Sequence, residues 1–344
     1  MDKLLVASLG KGAGKTSVIV GLAKALQKPF GYMKPLGDRM IHREKKVWDY
    51  DVDLILGLFG IKEDPDELTI GFDHSKLRYM YDAVSLGEKL QTMVTRVGKE
   101  VLFVEGGRDL RYGASIGLDP ISISKYIGAK LLLVLYGNED AIMDDVTFVK
   151  DYLHLTGIAF KGLIFNKVQN KEEFETIHLR KIKESGLPVL GIIPYEKELT
   201  YTTANSIARH LFAKVITGEN ALDRVVKNFS VGAMSVGAFI QTTFYQKEDQ
   251  LLITSGDRAD MILAAIEGGA TCLVITNNIV PSSNIISKAY ERNIPLLLVP
   301  HDTYTAATQI NQLEPLLTRS ESRKIDLVTQ MVQTHVNIKE IMGG

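Results

Sequence analysis

The sequence predicts an α/β protein with two domains: a P-loop type, doubly wound parallel sheet over residues 1–200, then a second, smaller α/β domain over 203–320. Three observations carry that prediction. A glycine-rich stretch, Ser8 to Thr16, joins an apolar run to a helical pattern; short apolar runs alternate with helical patterns as far as Pro194; and a second strand-helix series starts near Leu251. Strands that alternate with helices at this spacing build parallel sheets. With 344 residues the chain suits about two domains, each large enough to bury a core.

The first strand is the run Leu4 to Ala7. It leads into Ser8-Leu9-Gly10-Lys11-Gly12-Ala13-Gly14-Lys15-Thr16, after which Val18, Ile19, Leu22, Ala23 and Leu26 recur at helical spacing. Gly10, Gly12 and Gly14 let the backbone turn its N–H groups inward, and the helix adds the positive end of its dipole. An anion suits that place. Lys15 is positioned to reach the β- and γ-phosphates of a nucleotide, and the Thr16 hydroxyl to bind Mg²⁺. The pattern departs from GxxxxGK[ST] only at its first glycine, where Leu9 stands. The candidate nucleotide contacts are Gly10, Lys11, Gly12, Ala13, Gly14, Lys15, Thr16 and Ser17, Lys11 being a plain loop lysine four residues before Lys15. The alternative, a glycine-rich turn of a dinucleotide fold, would require neither Lys15 nor Thr16.

Phe30 to Leu36 reads as a second strand. Pro35 holds the backbone of Lys34 extended, and a lysine at a strand end can point at the same phosphates as Lys15; the alternative is a solvated surface lysine. Trp48 to Leu58 reads as helix-like, with Asp49 and Asp53 on one face. A metal ion would relieve the repulsion between like charges so placed, which makes Asp53 the first candidate ligand and Asp51 the second. An acidic helix start favoured by the macrodipole is the alternative. Leu77 to Thr95 reads as one long helix.

Val101 to Gly107 is then a buried strand ending in a carboxylate. Ligands of such sheets sit beyond the carboxyl ends of the strands, so Glu105 is placed to ligate Mg²⁺ or to position a reacting group. Lys130 to Tyr136 is another strand, followed by a helix. Gly162 to Lys167 follows with Asn166 at its end, placed for contact with the base. Guanine-specific NTPases carry Asn-Lys-x-Asp there, whereas this chain has Gln169 for the aspartate, so ATP is the expected nucleotide. Pro188 to Pro194 supplies one more buried strand.

Glu196 to Thr203 is polar and aperiodic and marks the domain boundary. Beyond it come helix Ala204 to Leu211, the stretches Lys214 to Ile216 and Val225 to Met234, strand Leu251 to Thr254 and helix Ala259 to Glu267. Strand Cys272 to Thr276, helix Asn284 to Glu291 and strand Pro295 to Val299 complete the series. Its strand-end loops, Ser255 to Arg258, Thr276 to Asn278 and Pro300 to Asp302, share one edge. Asp257 and Arg258 there are candidate contacts for an unknown small-molecule metabolite; a loop cap and ion pair is the alternative. A C-terminal amphipathic helix within 321–344 is expected to pack on a neighbour.

The balance of 40 basic against 41 acidic residues gives no reason to expect nucleic acid as a partner. A single cysteine, Cys272, excludes an intrachain disulfide framework and a cysteine-based zinc site. No apolar run approaches the ~18 residues that span a bilayer, and the N-terminus enters a strand rather than a signal sequence, so no membrane partner and a cytoplasmic location are expected.

Together these motifs resemble a known pairing. Residues 1–200 are similar to the dethiobiotin synthetase-like P-loop family through Ser8 to Thr16, Gly31-Tyr32-Met33-Lys34-Pro35, Val104-Glu105-Gly106-Gly107 and Leu190-Gly191-Ile192-Ile193-Pro194. Residues 203–320 resemble the DRTGG domain through Ala233-Met234-Ser235-Val236 and Ser255-Gly256-Asp257-Arg258-Ala259-Asp260, with Thr276-Asn277-Asn278 in place of its Thr-Gly-Gly. The order is that of the N-terminal half of long phosphotransacetylases. Because the sequence stops at Gly344 with no room for an acetyltransferase domain, phosphotransacetylase activity is not expected.

The resemblance implies Gly12 to Thr16 on a triphosphate, Lys34 near the transferred phosphoryl group, Asp53 and Glu105 on Mg²⁺, and a homodimer. It also implies a reaction in which ATP phosphorylates a carboxylate or carbamate that a nucleophile then attacks, a chemistry of positioning and charge neutralisation. Two functions compete. One is a Mg²⁺- and ATP-dependent ligase or ATPase with Lys15 and Lys34 as its catalytic residues; the other is a non-catalytic module that senses a nucleotide or metabolite.

Overall fold

A computed structural model describes residues 1–343 except 27, 44, 246 and 247. The chain divides into two compact units, one of Met1–Glu196 with Leu317–Gly344 and one of Lys197–Leu316, so the second is inserted in the sequence of the first.

The strands of the first unit are β1 (Asp2–Ala7), β2 (Phe30–Met33), the hairpin pair β3 (Met40–Arg43) and β4 (Lys46–Asp49), β5 (Val101–Glu105), β6 (Lys130–Leu135), β7 (Phe160–Val168) and β8 (Val189–Pro194). All but the hairpin form one parallel sheet in the order β2-β5-β1-β6-β7-β8. The order runs outward from β1 in both directions, which opens a crevice at the carboxyl end of β1. Leu4, Leu5 and Val6 of β1 and Leu131 to Leu135 of β6 are buried, as unbroken apolar strands covered on both faces must be. Each large side chain so covered contributes roughly 1.5–3 kcal/mol.

Helix α1 (Lys15–Leu26) follows the glycine loop, and α2 (Tyr50–Phe59) follows the hairpin. Side-chain caps set the starts of several helices, and two of them correct the sequence reading. Trp48 and Asp49 belong to β4 rather than to a helix: Asp49 is the N-cap of α2 and accepts from the N–H groups of Asp51 and Val52. The single helix expected over Leu77 to Thr95 is two, His74–Met80 and Ala83–Val97, because Asp82 and Ser85 exchange reciprocal capping bonds and start a new helix.

The C-terminal helices, Ser322–His335 and Ile338–Met342, pack on α1 and β8 of this unit. A Cβ on Gly21 of α1 would lie 2.4 Å from a Val332 methyl, and the Asn337 N–H donates to Leu190 O at 2.7 Å.

The second unit holds a short antiparallel ribbon, β9 (Thr202–Thr203) with β11 (Val225–Val226), and a mixed sheet. The sheet comprises β10 (Lys214–Thr217), β12 (Asn228–Val231), β13 (Gln250–Ser255), β14 (Cys272–Thr276) and β15 (Leu296–Leu298) in the order β10-β15-β14-β13-β12. Only β10 runs antiparallel. Period-two alternation sends Leu252, Leu273 and Ile275 to one core layer and Leu251, Ile253, Cys272 and Val274 to the other. Among the described residues no helix is long and apolar enough to cross a membrane.

Candidate functional site

The loop after β1 is held open from outside. Three successive carbonyls are tethered by residues at the ends of the neighbouring strands: Lys11 O accepts from the Tyr136 hydroxyl, Gly12 O from Lys167 Nζ at 2.8 Å, and Ala13 O from Asn166 Nδ2 at 2.8 Å. Because each peptide is planar, an oxygen tied on one side presents the N–H to the other. Gly14 has φ +89°, and a Cβ there would stand 2.4 Å from Asn166 Nδ2, so this position requires glycine. The first α1 bond runs from the Val18 N–H to Gly14 O, so the N–H groups of Lys15, Thr16 and Ser17 precede the helical ladder. No acidic residue occupies that turn. Gly10 packs beside the Tyr136 ring, Lys11 is exposed on the loop and Ser17 is half-buried.

Asn166, the residue expected to contact the base, is bonded to the loop in this structure. Its Nδ2 is taken by Ala13 O and its Oδ1 by the Lys167 N–H at 2.9 Å, so the amide is a strut beneath the loop. Tyr136 and Lys167 complete the strut; Lys167 is the lysine of the partial Asn-Lys-x-Asp match, whereas no sequence motif marked Tyr136.

Glu105 and Lys15 lie on the same rim, since β5 and β1 are parallel neighbours in register from Asp2 with Val101 to Val6 with Glu105. The Thr16 hydroxyl donates to Glu105 Oε1 at 2.8 Å and the Tyr32 hydroxyl to Oε2 at 2.9 Å. Lys15, 8% exposed, donates to Ser8 Oγ at 3.1 Å and to Arg108 O at 3.3 Å.

Lys34, at the end of β2, is 1% exposed, which sets aside the surface-lysine alternative. Its ammonium is enclosed by Asp38 Oδ1 and Asp51 Oδ2, each at 2.5 Å, and by Asp49 Oδ2 at 3.3 Å. Asp51 also receives Arg39 at 3.4 Å. The Asp53 carboxylate turns away from Lys34, to Arg319 Nη2 at 2.6 Å and Arg43 Nη2 at 3.1 Å. The reason is helical geometry. Residues two apart on a helix differ by about 200° around its axis, so only one of Asp51 and Asp53 can face Lys34. Asp49, as the cap, lies outside the helix and shares no helical face with Asp53.

Burial sets the electrostatics. It pushes the Glu105 carboxyl up to about 7, with the Asp51 charge adding to the rise and Lys34 and Lys15 opposing it. It pulls the Lys15 ammonium down, against the pull of Glu105. Burial also lowers Lys34, but Asp51, Asp49, Glu105 and Asp38 outweigh it and hold that ammonium well above its ordinary value. Burial raises Asp51, yet Lys34 and Arg39 overcome this and bring it below the usual range. The same burial holds Tyr32 well above its ordinary value, keeping its hydroxyl a donor to Glu105.

A divalent cation suits the donor set at Thr16 and Glu105: a hydroxyl and a carboxylate, both hard oxygens, 2.8 Å apart at a helix start. The carboxylates of Asp38, Asp49 and Asp51 also lie within 4.8 Å of one another, but the cation at their centre is the Lys34 ammonium.

In the second unit the strand-end loops share an edge, with the Asn277 N–H donating to His301 O at 2.8 Å and Asn277 Nδ2 to Ser255 Oγ at 3.2 Å. Arg258 binds Gly232 O at 3.3 Å and Met234 O at 2.9 Å, and pairs with Asp260 at 3.2 Å. Its guanidinium therefore ties two loops of the rim together. Asp257 is exposed and makes no ion pair with Arg258 among the described contacts.

A family model for the AAA domain matches residues 2–203, and one for the DRTGG domain matches 206–313. The chain is similar to the phosphate acetyltransferase of Nitratidesulfovibrio vulgaris, 23% identical over 99% of this chain and 51% of that one. It is likewise similar to that of Pseudomonas putida, 24% identical over 98% and 51%. The chain thus spans about half the length of the curated relatives it matches. Among solved structures, the CBS and DRTGG domains of the regulatory region of Clostridium perfringens pyrophosphatase, complexed with the activator diadenosine tetraphosphate, align over 40% of this chain and 62% of theirs, at 21% identity and TM-score 0.29. The MinC:MinD cell division complex of Aquifex aeolicus aligns over 58% and 84%, at 15% identity and TM-score 0.38. With the matched model covering more than half of the chain, and its loop, lysine and rim carboxylate in place, the chain belongs to the AAA domain family, as a dethiobiotin synthetase-like P-loop domain joined to a DRTGG domain in the manner of the N-terminal half of the phosphate acetyltransferases.

Proposed function

We propose that the first unit binds ATP with Mg²⁺ and is built for phosphoryl transfer, as an ATPase or a carboxylate-activating ligase. The observation that carries this reading is the gathering of Lys15, Thr16, Glu105, Lys34 and Asp51 at one strand-end rim, four of them charged and all but Thr16 buried. The N–H groups of residues 12–17 and the α1 dipole bind phosphate oxygens. Lys15 exchanges Ser8 Oγ and Arg108 O for the β- and γ-phosphates. Thr16 and Glu105, with Asp51 behind them, would hold Mg²⁺, which neutralises phosphate charge and orients the terminal phosphoryl group. Tyr32 fixes one Glu105 oxygen and leaves the other for the cation.

Titration calorimetry of the full chain with MgATP tests this. Binding is expected, and Lys15→Ala, which removes charge-assisted bonds to phosphate, should weaken it about a hundredfold. No heat of binding in the wild type would overturn the reading. The proposed homodimer is checked by sedimentation, and a monomer at micromolar concentration would remove it.

One observation favours the second reading, a regulatory nucleotide-sensing module. The Lys34 ammonium is already surrounded by three carboxylates, a poor arrangement for meeting an acceptor. ADP release measured with a panel of carboxylates separates the two: turnover that Lys34→Ala abolishes supports a ligase, whereas tight MgATP binding without turnover supports the sensor.

A further inference from the structure

Chain returning from the second unit enters the first at Leu317, and its first contacts are with α2. Leu317 O accepts from the Tyr50 hydroxyl at 2.8 Å. Arg319 Nη2 bonds both the Asp53 carboxylate, at 2.6 Å, and the Asp53 main-chain oxygen. Thr318 and Glu321 then lock the turn, with the Thr318 hydroxyl on Glu321 Oε2 at 2.9 Å, before helix Ser322–His335 runs along α1.

Gly57 independently marks this contact as built. A glycine inside a helix costs about 1 kcal/mol relative to alanine, so one in the last turn of α2 calls for a reason. The reason lies above it: a Cβ on Gly57 would stand 2.0 Å from Arg319 Nε and 2.1 Å from Cζ, so any larger residue would displace the guanidinium from this place.

The first turn of α2 is thereby gripped from two sides. On one, Asp49 and Asp51 hold Lys34; on the other, two residues along, Asp53 is held by Arg319 and Arg43. We propose that Arg319 is a positioning residue for the phosphate site. By clamping the first turn of α2 through Asp53 it fixes Asp51, and through Asp51 the Lys34 ammonium, so the segment arriving from the inserted unit has a hold on nucleotide affinity. The inference rests on the MgATP reading above. It adds a route by which a ligand of the second unit would be felt at the first, through chain continuity at Leu316–Leu317.

Trp48, the only tryptophan of the chain, precedes the Asp49 cap and supplies the fluorescence probe for a binding titration. In the full chain, Arg319→Ala should weaken MgATP binding about fivefold, a typical size for coupling through a packed network. Arg319→Lys should recover part of the loss, since a lysine can reach the carboxylate but cannot also fork to the main-chain oxygen. Gly57→Ala should reproduce the loss although it raises helix propensity, an outcome that a purely structural role of Arg319 does not predict. In the wild type, MgATP should slow amide exchange at residues 317–321 as well as in the first turn of α2. Affinity in Arg319→Ala and Gly57→Ala indistinguishable from wild type, or exchange at 317–321 indifferent to bound nucleotide, would overturn the strap while leaving the nucleotide reading intact. Absence of binding by the wild type would remove both.

Discussion

Both units carry parallel strands whose carboxyl ends feed a cluster of loops, yet every buried charged side chain among the described residues belongs to the first unit. Around its rim Lys15, Lys34, Asp49, Asp51 and Glu105 are all withdrawn from water. The second unit buries only hydroxyl and amide groups, such as Thr254, Thr276 and Gln250, and keeps Asp257 and Asp260 exposed. Burying an ion costs several kcal/mol before any pairing is counted, and apolar residues of equal volume often serve stability better. A rim that retains five such groups is organised for something other than its own stability. The second rim meets its needs with loop-to-loop bonds through Arg258 and Asn277.

The sharpest way to break this comparison is to remove one partner from the buried set. Asp51→Ala leaves the Lys34 ammonium with Asp38 and Asp49 only, and should destabilise the first unit by about 3 kcal/mol, the low end for an orphaned buried charge because two carboxylates remain. Urea unfolding followed by Trp48, which lies in the first unit, reads that loss without contribution from the second. A change below about 0.5 kcal/mol, the range of an ordinary surface substitution, would mean that the rim is not the strained region its burial implies.

A smaller effect is expected from Arg258→Ala. The partly exposed guanidinium donates to Gly232 O and Met234 O, so its loss should cost about 1 kcal/mol, confined to the second unit. Amide exchange in residues 228–240 should quicken while MgATP affinity stays unchanged. A change in nucleotide affinity instead would make Arg258 part of a coupled system and erase the contrast between the rims.

The contrast also explains what could be read without coordinates. Gly14-Lys15-Thr16 after an apolar run, and Glu105 at the end of another, were legible because strand, loop and helix are consecutive and the periodicities are local. The enclosure of Lys34 was not, because Asp38 comes from the segment after β2, Asp49 from the hairpin and Asp51 from α2, and only the tertiary fold brings them together. That Asp51 rather than Asp53 faces Lys34 follows from where α2 starts. Asp49 just before an apolar helical run carries an N-cap signature, and reading it so would have turned Asp51 toward the site. The loop contact of Asn166 was hidden for a related reason: a strand-end amide serves a base or a loop equally well, and only the tertiary fold brings Ala13 O to it. Arg319 was invisible in its own neighbourhood, although Gly57 inside an apolar helix recorded its presence 262 positions earlier in the chain.

The smallest effect concerns the turn after β14, where Thr276-Asn277-Asn278 stands for Thr-Gly-Gly. Both asparagines adopt the left-handed conformation, with φ of 61° and 54°, and the Asn278 N–H donates to Val299 O at 2.9 Å. Asparagine tolerates this region better than other non-glycine residues, so the turn keeps the backbone path that two glycines would take. Asn278→Gly should therefore change the stability of the second unit by only a few tenths of a kcal/mol, whereas Asn278→Ala should cost about 1 kcal/mol, because alanine keeps the Cβ but lacks the short polar side chain that eases asparagine into this region. Amide exchange of β14 and β15 distinguishes the two. Equal effects would show that the side chain, not the backbone, matters at this position, and the second rim would then hold a polar group of its own to set against the charges of the first.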